Sequence, residues 1–253
     1  MGQTKDERYA LLIEKVRNSY PSIHQNQLSE LGLYWCDDCQ EINLWTYWQG
    51  RGHLNASVML VGQDWGSPWD PSSGNTMEQV CMANQGMDYD YLLNNPSITD
   101  CNLSELFCHI GFPDIRHPHG ELFFTNYILG YRNHGTSGGY RKKWAEHAGE
   151  HFRELANIVE PNVILCLGKT TFEGVVGSLN VAERICVGRY NAFIESDKNP
   201  VSVVLDGGKM VHVFALAHCG ALGTMNRNRG HVKSEDPLEA QKRDWEKIIP
   251  YLK

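Results

Sequence analysis

Polar side chains follow three apolar runs in this chain where a sheet would bring them to one edge. Gln63-Asp64 follow Val58-Met59-Leu60-Val61-Gly62, Asn126 follows the run 122–125, and His218 follows the run 211–216 and Ala217. Short aliphatic and β-branched runs of this kind read as buried parallel strands, and open α/β sheets hold their ligands beyond the carboxyl ends of such strands. A carboxylate, an amide and an imidazole gathered there have the chemistry to recognise a planar heterocycle and to cleave a bond to it. Singly, each has a plainer role: Asp64 as a helix or turn cap, Asn126 as a turn residue, His218 as a cap or a core histidine. Their shared topological position favours the joint role. A fourth apolar run, 163–167, passes through Gly168-Lys169 into a helical pattern and reads as structural.

Strands at 58–61, 122–125, 163–167 and 211–216 must position these groups, and helical patterns lie between them at 102–110, 139–159 and 169–176, with a closing helix at 237–251. Strands alternating with helices predict an α/β fold, a three-layer α/β/α sandwich with a central four-stranded parallel sheet. Residues 187–208 are read as an additional edge hairpin turning at Asp206-Gly207-Gly208. Residues 1–50 form an N-terminal extension packed on the core, with amphipathic helices at 5–17 and 24–33 and an aromatic stretch at 34–48; residues 51–253 form one globular unit.

A chain of 253 residues, 42% hydrophobic, is long enough to bury one sizeable core. It has no long apolar segment, and residues 1–17 are charged, so the expectation is a cytoplasmic protein that does not engage membranes. Its eight cysteines are scattered rather than spaced as a disulfide framework, which suits a reducing compartment. The net charge of -7 excludes nucleic-acid binding through bulk electrostatics and leaves it to local clusters. Arg141-Lys142-Lys143 is one such cluster and Arg227, Arg229 and Lys233 form another. Each is alternatively a solvated face.

These motifs taken together resemble the uracil-DNA glycosylase superfamily over about residues 57–229. Gly62-Gln63-Asp64 resembles the start of that family's first motif, Gly-Gln-Asp-Pro-Tyr in its best-known branch. Phe124-Thr125-Asn126 is similar to the strand whose asparagine reads the base, most closely in the iron-sulfur-containing branch. Pro161-Asn162 and the run through Gly168 resemble the family's proline, aliphatic run and Leu-Gly, and Ala217-His218 stands where the second motif, usually His-Pro-Ser, begins.

The resemblance implies a monomeric, DNA-binding, monofunctional DNA glycosylase that flips a nucleotide out of the stack, breaks its bond to the sugar, and needs no cofactor for catalysis. Asp64 would orient and activate water and favour the cationic sugar, and His218 would donate to the departing base. Asn126 would hydrogen-bond the base edge, Gln63 would shape the pocket, and Trp65 or Phe124 would stack on the base. Leu222 or Met225 would fill the emptied stack, and Arg227 and Arg229 would contact phosphates. Two departures bear on substrate. Trp65-Gly66 replaces Pro-Tyr, whose ring excludes thymine, although the iron-sulfur branch also has glycine there and prefers uracil, and Cys219-Gly220 replaces Pro-Ser. An opened pocket suits a modified cytosine, as in phage DNA, as well as uracil, and so antiviral defence as well as base excision.

Other readings compete. Cys36-Asp37-Asp38-Cys39 has the spacing of a zinc or iron-sulfur knuckle, so Cys36 and Cys39 are candidate ligands of a structural metal. The second cysteine pair of the iron-sulfur branch is missing. Zinc held by Cys36, Cys39 and histidines such as His134 and His147 is weighed against two plain thiols. His147, Glu150 and His151 fit an inverted zinc-peptidase pattern, which would make the chain a zinc hydrolase. A noncatalytic DNA- or nucleotide-binding module with a glycosylase-like fold is the remaining alternative.

Overall fold

A computed structural model describes residues 2–22, 29–35, 52–64, 96–116, 119–132, 142–179, 185, 187–231 and 234–252. In chain order its elements are α1 (Lys5–Ser19), β1 (Leu33–Tyr34), β2 (Val58–Gly62), α2 (Ile98–His109), β3 (Leu122–Asn126), β4 (Tyr131–Arg132) and α3 (Lys142–Val159). They continue with β5 (Val163–Leu167), α4 (Lys169–Leu179), α5 (Tyr190–Glu195), β6 (Val201–Val204), β7 (Met210–Leu216), α6 (Ala221–Arg227) and α7 (Glu239–Glu246).

The central sheet is mixed and five-stranded, in the order β3-β2-β5-β7-β6, where four parallel strands were expected. Strands β3, β2, β5 and β7 are parallel, and β6 runs antiparallel to β7 at the edge. The extra strand comes from the anticipated hairpin. Leu205 N–H donates to Lys209 O at 2.9 Å, and Gly208 takes φ of 85°, a left-handed conformation that glycine adopts without a Cβ clash.

Strand residues alternate between two helical layers, as the two-residue period of a strand requires. Met59, Val61, Phe123, Ile164, Cys166 and Val213 pack with Leu12 and Val16 of α1, Phe152 of α3 and Phe172 of α4. Val58, Leu60, Leu165 and Phe214 pack on the opposite face with Phe107 of α2 and Trp245 of α7. Both faces are covered, so the parallel strands read as continuous apolar runs.

Helix α1 begins at a capping box: Thr4 Oγ1 accepts from the Glu7 N–H at 3.2 Å, and the Glu7 carboxylate accepts from the Thr4 N–H at 2.8 Å. Its buried Tyr9, Leu12 and Val16 recur at helical spacing and join the same cluster as the sheet. The second expected helix, 24–33, is not helical over its described residues 29–33. Gly32 at φ 68° closes a turn on Ser29 O and delivers the chain into β1 instead. β1 pairs antiparallel with β4, with Leu33 opposite Arg132 and Tyr34 opposite Tyr131. Among the described residues, no helix is long and apolar enough to cross a membrane.

Candidate active site

Parallel register brings the three candidate groups to one edge. Gly62 pairs with Asn126, Val61 with Cys166 and Leu167 with Leu216. The ladder runs past the strands: Tyr127 N–H donates to Gly62 O at 2.9 Å, Ile128 N–H to Gln63 O at 3.0 Å, and Gly168 N–H to Leu216 O at 2.8 Å. Gln63-Asp64, Asn126 and His218 therefore leave the sheet at its carboxyl end. Asn126 and His218 lie on strands three spacings apart, roughly 14 Å at about 4.8 Å per spacing. Asp64 leaves the strand next to that of Asn126.

The Asp64 side chain is 5% exposed and its Oδ2 is held from two sides. Arg132 Nη2 donates to it at 2.6 Å, and Gln63 Nε2 at 2.8 Å. Gln63 is itself anchored, its Oε1 accepting from Thr170 Oγ1 in the first turn of α4 at 3.1 Å. The glutamine thus ties the acid to a helix. Asn126 is different: the residue is 3% exposed, and its side-chain amide, unpaired among the described residues, is not among the polar atoms cut off from solvent. An amide left open in this way can take a ligand that offers both a donor and an acceptor.

His218 sits on the loop between β7 and α6. Its Nδ1 accepts from the Gly220 N–H at 2.9 Å, which leaves the ring proton on Nε2 and makes that nitrogen a donor. His218 is exposed as a residue, yet desolvation by the surrounding protein holds its pKa below the ordinary imidazole value. The ring is thereby a neutral donor at neutral pH. Gln241 of α7, 1% exposed, fixes the loop by donating to Ala217 O and His218 O, both at 3.3 Å, while accepting from Thr224 Oγ1 at 2.9 Å. Gly223 is required for the close approach of α6: a Cβ there would lie 2.1 Å from His218 O.

The other expected site residues divide. Leu222 and Met225, one helical turn apart on α6, are 72% and 50% exposed, and Arg229 is exposed beyond them. Arg227, expected on phosphates, is instead buried: its side chain is 3% exposed and grips Asp244 of α7 through Nε at 2.6 Å and Nη2 at 2.8 Å. It closes α6 onto α7, because a guanidinium stripped of water needs a carboxylate to compensate it. Phe124, expected to stack on a base, is fully buried, its ring 5.4 Å from that of Phe107 in the α2 layer. Trp65, Gly66, Cys36, Cys39, His134, Arg141 and Lys233 lie outside the described residues.

The histidines of the peptidase-like pattern face inward and its glutamate faces outward. His151 is 4% exposed, with Nε2 at 3.0 Å from Ser19 Oγ, and His147 packs edge-on against Tyr20 with centroids 5.1 Å apart. The Glu150 side chain is 78% exposed and bonds Lys15 at 2.8 Å. Burial first, and His147 next, push His151 down to about 4 from its ordinary 6.5. Between those values acid protonates the unfolded chain but not the folded one. Its contribution to stability is therefore whole above pH 6.5, falls with pH, and is lost by about pH 4, about 3 kcal/mol in all. Urea midpoints measured against pH should drop across this window, and His151→Phe should flatten the drop; parallel curves would refute the assignment.

Arg132 and Gln241 were not anticipated as site residues. Arg132 follows Asn126 by six positions, but only the pairing of β4 with β1 turns that loop back toward Asp64. In sequence comparison the chain matches no protein-family model and no curated protein.

Proposed function

We propose that this chain is a monofunctional DNA glycosylase, of the kind that flips a pyrimidine nucleotide from DNA and hydrolyses the bond between base and sugar. The observation that carries the reading is the convergence at one end of the sheet of Asp64, the Asn126 amide, unpaired among the described residues, and the Nε2 donor of His218. An amide offers a donor and an acceptor together, which matches the pairing edge of uracil and, turned over, that of cytosine. Asp64 orients the attacking water and favours positive charge on the sugar; His218 donates to the base as negative charge develops on it. The exposed Leu222 and Met225 suit a wedge entering the emptied stack, and Arg229 suits a phosphate.

The substrate proposed is uracil or a five-substituted cytosine, the second favoured by Gly66 in place of a bulky ring and by Cys219-Gly220 after His218. Excision of hypermodified cytosines would serve defence against phage, and excision of uracil would serve repair. Single- and double-stranded oligonucleotides carrying uracil, a thymine mismatch or 5-hydroxymethylcytosine decide the matter, with alkali-labile scission as the readout. Scission at one of these bases is expected. None on any substrate rejects the activity, and scission at uracil alone rejects the modified-cytosine preference.

A further inference from the structure

The carboxylate of Asp64 is not held by its own strand alone. Arg132 meets it at 2.6 Å, and both side chains are 5% exposed. The guanidinium is itself seated: it lies over the Trp144 ring at 4.9 Å from the centroid, and Trp144 Nε1 donates to Leu31 O at 2.7 Å. The backbone of Arg132 pairs with Leu33 in the small sheet of β1 and β4. One continuous set of contacts therefore runs from residues 31–33, outside the central sheet, to the acid at its edge.

We infer that Arg132 is a positioning residue for Asp64, and that the segment preceding the central sheet, through Leu31, Leu33 and Trp144, sets the direction of the acid. The inference rests on the glycosylase reading. Two physical points support it. A buried ion pair gives little net stability over an apolar pair of the same volume, so stability alone is a poor reason to keep one. Arg132 and Gln63 both bond Oδ2, which fixes the rotation of the carboxylate about its last bond and hence the direction of Oδ1. An acid that orients water needs that rotation fixed, since a small misplacement of a reacting group costs about 10²-fold in rate. The cation–π seat and the Trp144 bond keep the guanidinium from following solvent.

The test is steady-state kinetics of base release from duplex oligonucleotides carrying one uracil or one 5-hydroxymethylcytosine, with circular-dichroism melts as the check on folding. Arg132→Gln should lower kcat by about 10²-fold and leave KM within about three-fold, and Arg132→Lys should recover part of the loss. Trp144→Phe keeps a ring under the guanidinium but cannot donate to Leu31 O. It should lower kcat by a few-fold, on the order of that lost bond, and add nothing in the Arg132→Gln background. Equal kcat for folded Arg132→Gln and the unaltered protein overturns the inference alone, as does a loss confined to KM. If Arg132→Gln does not fold, unchanged kcat in both Arg132→Lys and Trp144→Phe overturns it. No base release by the unaltered protein overturns the glycosylase reading and this inference with it.

Discussion

Asp64→Asn is expected to slow base release by about 10³-fold in single-turnover assays while leaving affinity for the lesion duplex nearly unchanged. The asparagine oxygen can still accept from Arg132 and Gln63, which hold Oδ2 in the unaltered protein at 2.6 and 2.8 Å, so the local geometry has a substitute acceptor. Removing one charge of a buried pair lowers the melting temperature, which a thermal melt beside the assay measures. What the variant loses is the negative charge. A neutral amide neither polarises water as a base nor favours a sugar that turns cationic as its bond to the base breaks. On the proposed reading, binding rests on Asn126, on the exposed α6 side chains and on phosphate contacts, none of which is altered. Gel-shift affinity measured beside alkali-labile scission separates the two effects. Equal scission by both proteins would show that Asp64 is not the water-activating acid. Tight lesion binding with no scission by either protein would instead support a noncatalytic, glycosylase-like binding module.

Arg227→Ala should destabilise the fold by about 3–5 kcal/mol, because it leaves Asp244 charged and uncompensated at 4% side-chain exposure. For a chain of this length that is a fall in Tm on the order of 10 °C. The guanidinium also meets Glu195 at 2.9 Å, but that side chain is 47% exposed, so its own loss is screened by water. The double variant Arg227→Met with Asp244→Leu should recover most of the stability, since it removes both buried charges and refills the volume. Thermal melts of the three proteins test the pair directly. An Arg227→Ala protein that melts with the unaltered one but binds DNA weakly would restore Arg227 to the phosphate contacts from which its burial removes it.

Much of the scaffold was legible because parallel strands buried on both faces leave a plain sequence trace. The apolar runs at 58–61, 122–125, 163–167 and 211–216 all lie within strands of the central sheet or coincide with them, and the polar residues after three of them fall at its carboxyl edge. Asn162-Val163 and Gly168 likewise marked the ends of β5. Local signals were less reliable where conformation depends on one residue. The apparent helix at 24–33 gave way over its described end because left-handed Gly32 turns the chain into β1.

Charge was the least legible property. Arg227 and Arg229 are two residues apart in one basic segment, and nothing in their neighbours separates them, yet one is buried on Asp244 and the other is exposed. The partner that decides this, Asp244, lies 17 positions away on another helix. Arg132 is a similar case, since its 2.6 Å bond spans 68 positions and depends on a two-residue pairing that no periodicity announces.

The sequence by itself determined that an acid, an amide and an imidazole each close an apolar strand, since hydrophobic period and strand ends are local properties of the chain. Only the tertiary structure decided how those groups are held: Asp64 on Arg132 and Gln63, His218 as an Nε2 donor through the Gly220 N–H, and Asn126 unpaired among the described residues. Ion pairs and hydrogen bonds act over about 3 Å between residues far apart in the chain, so their partners exist only once the layers have packed.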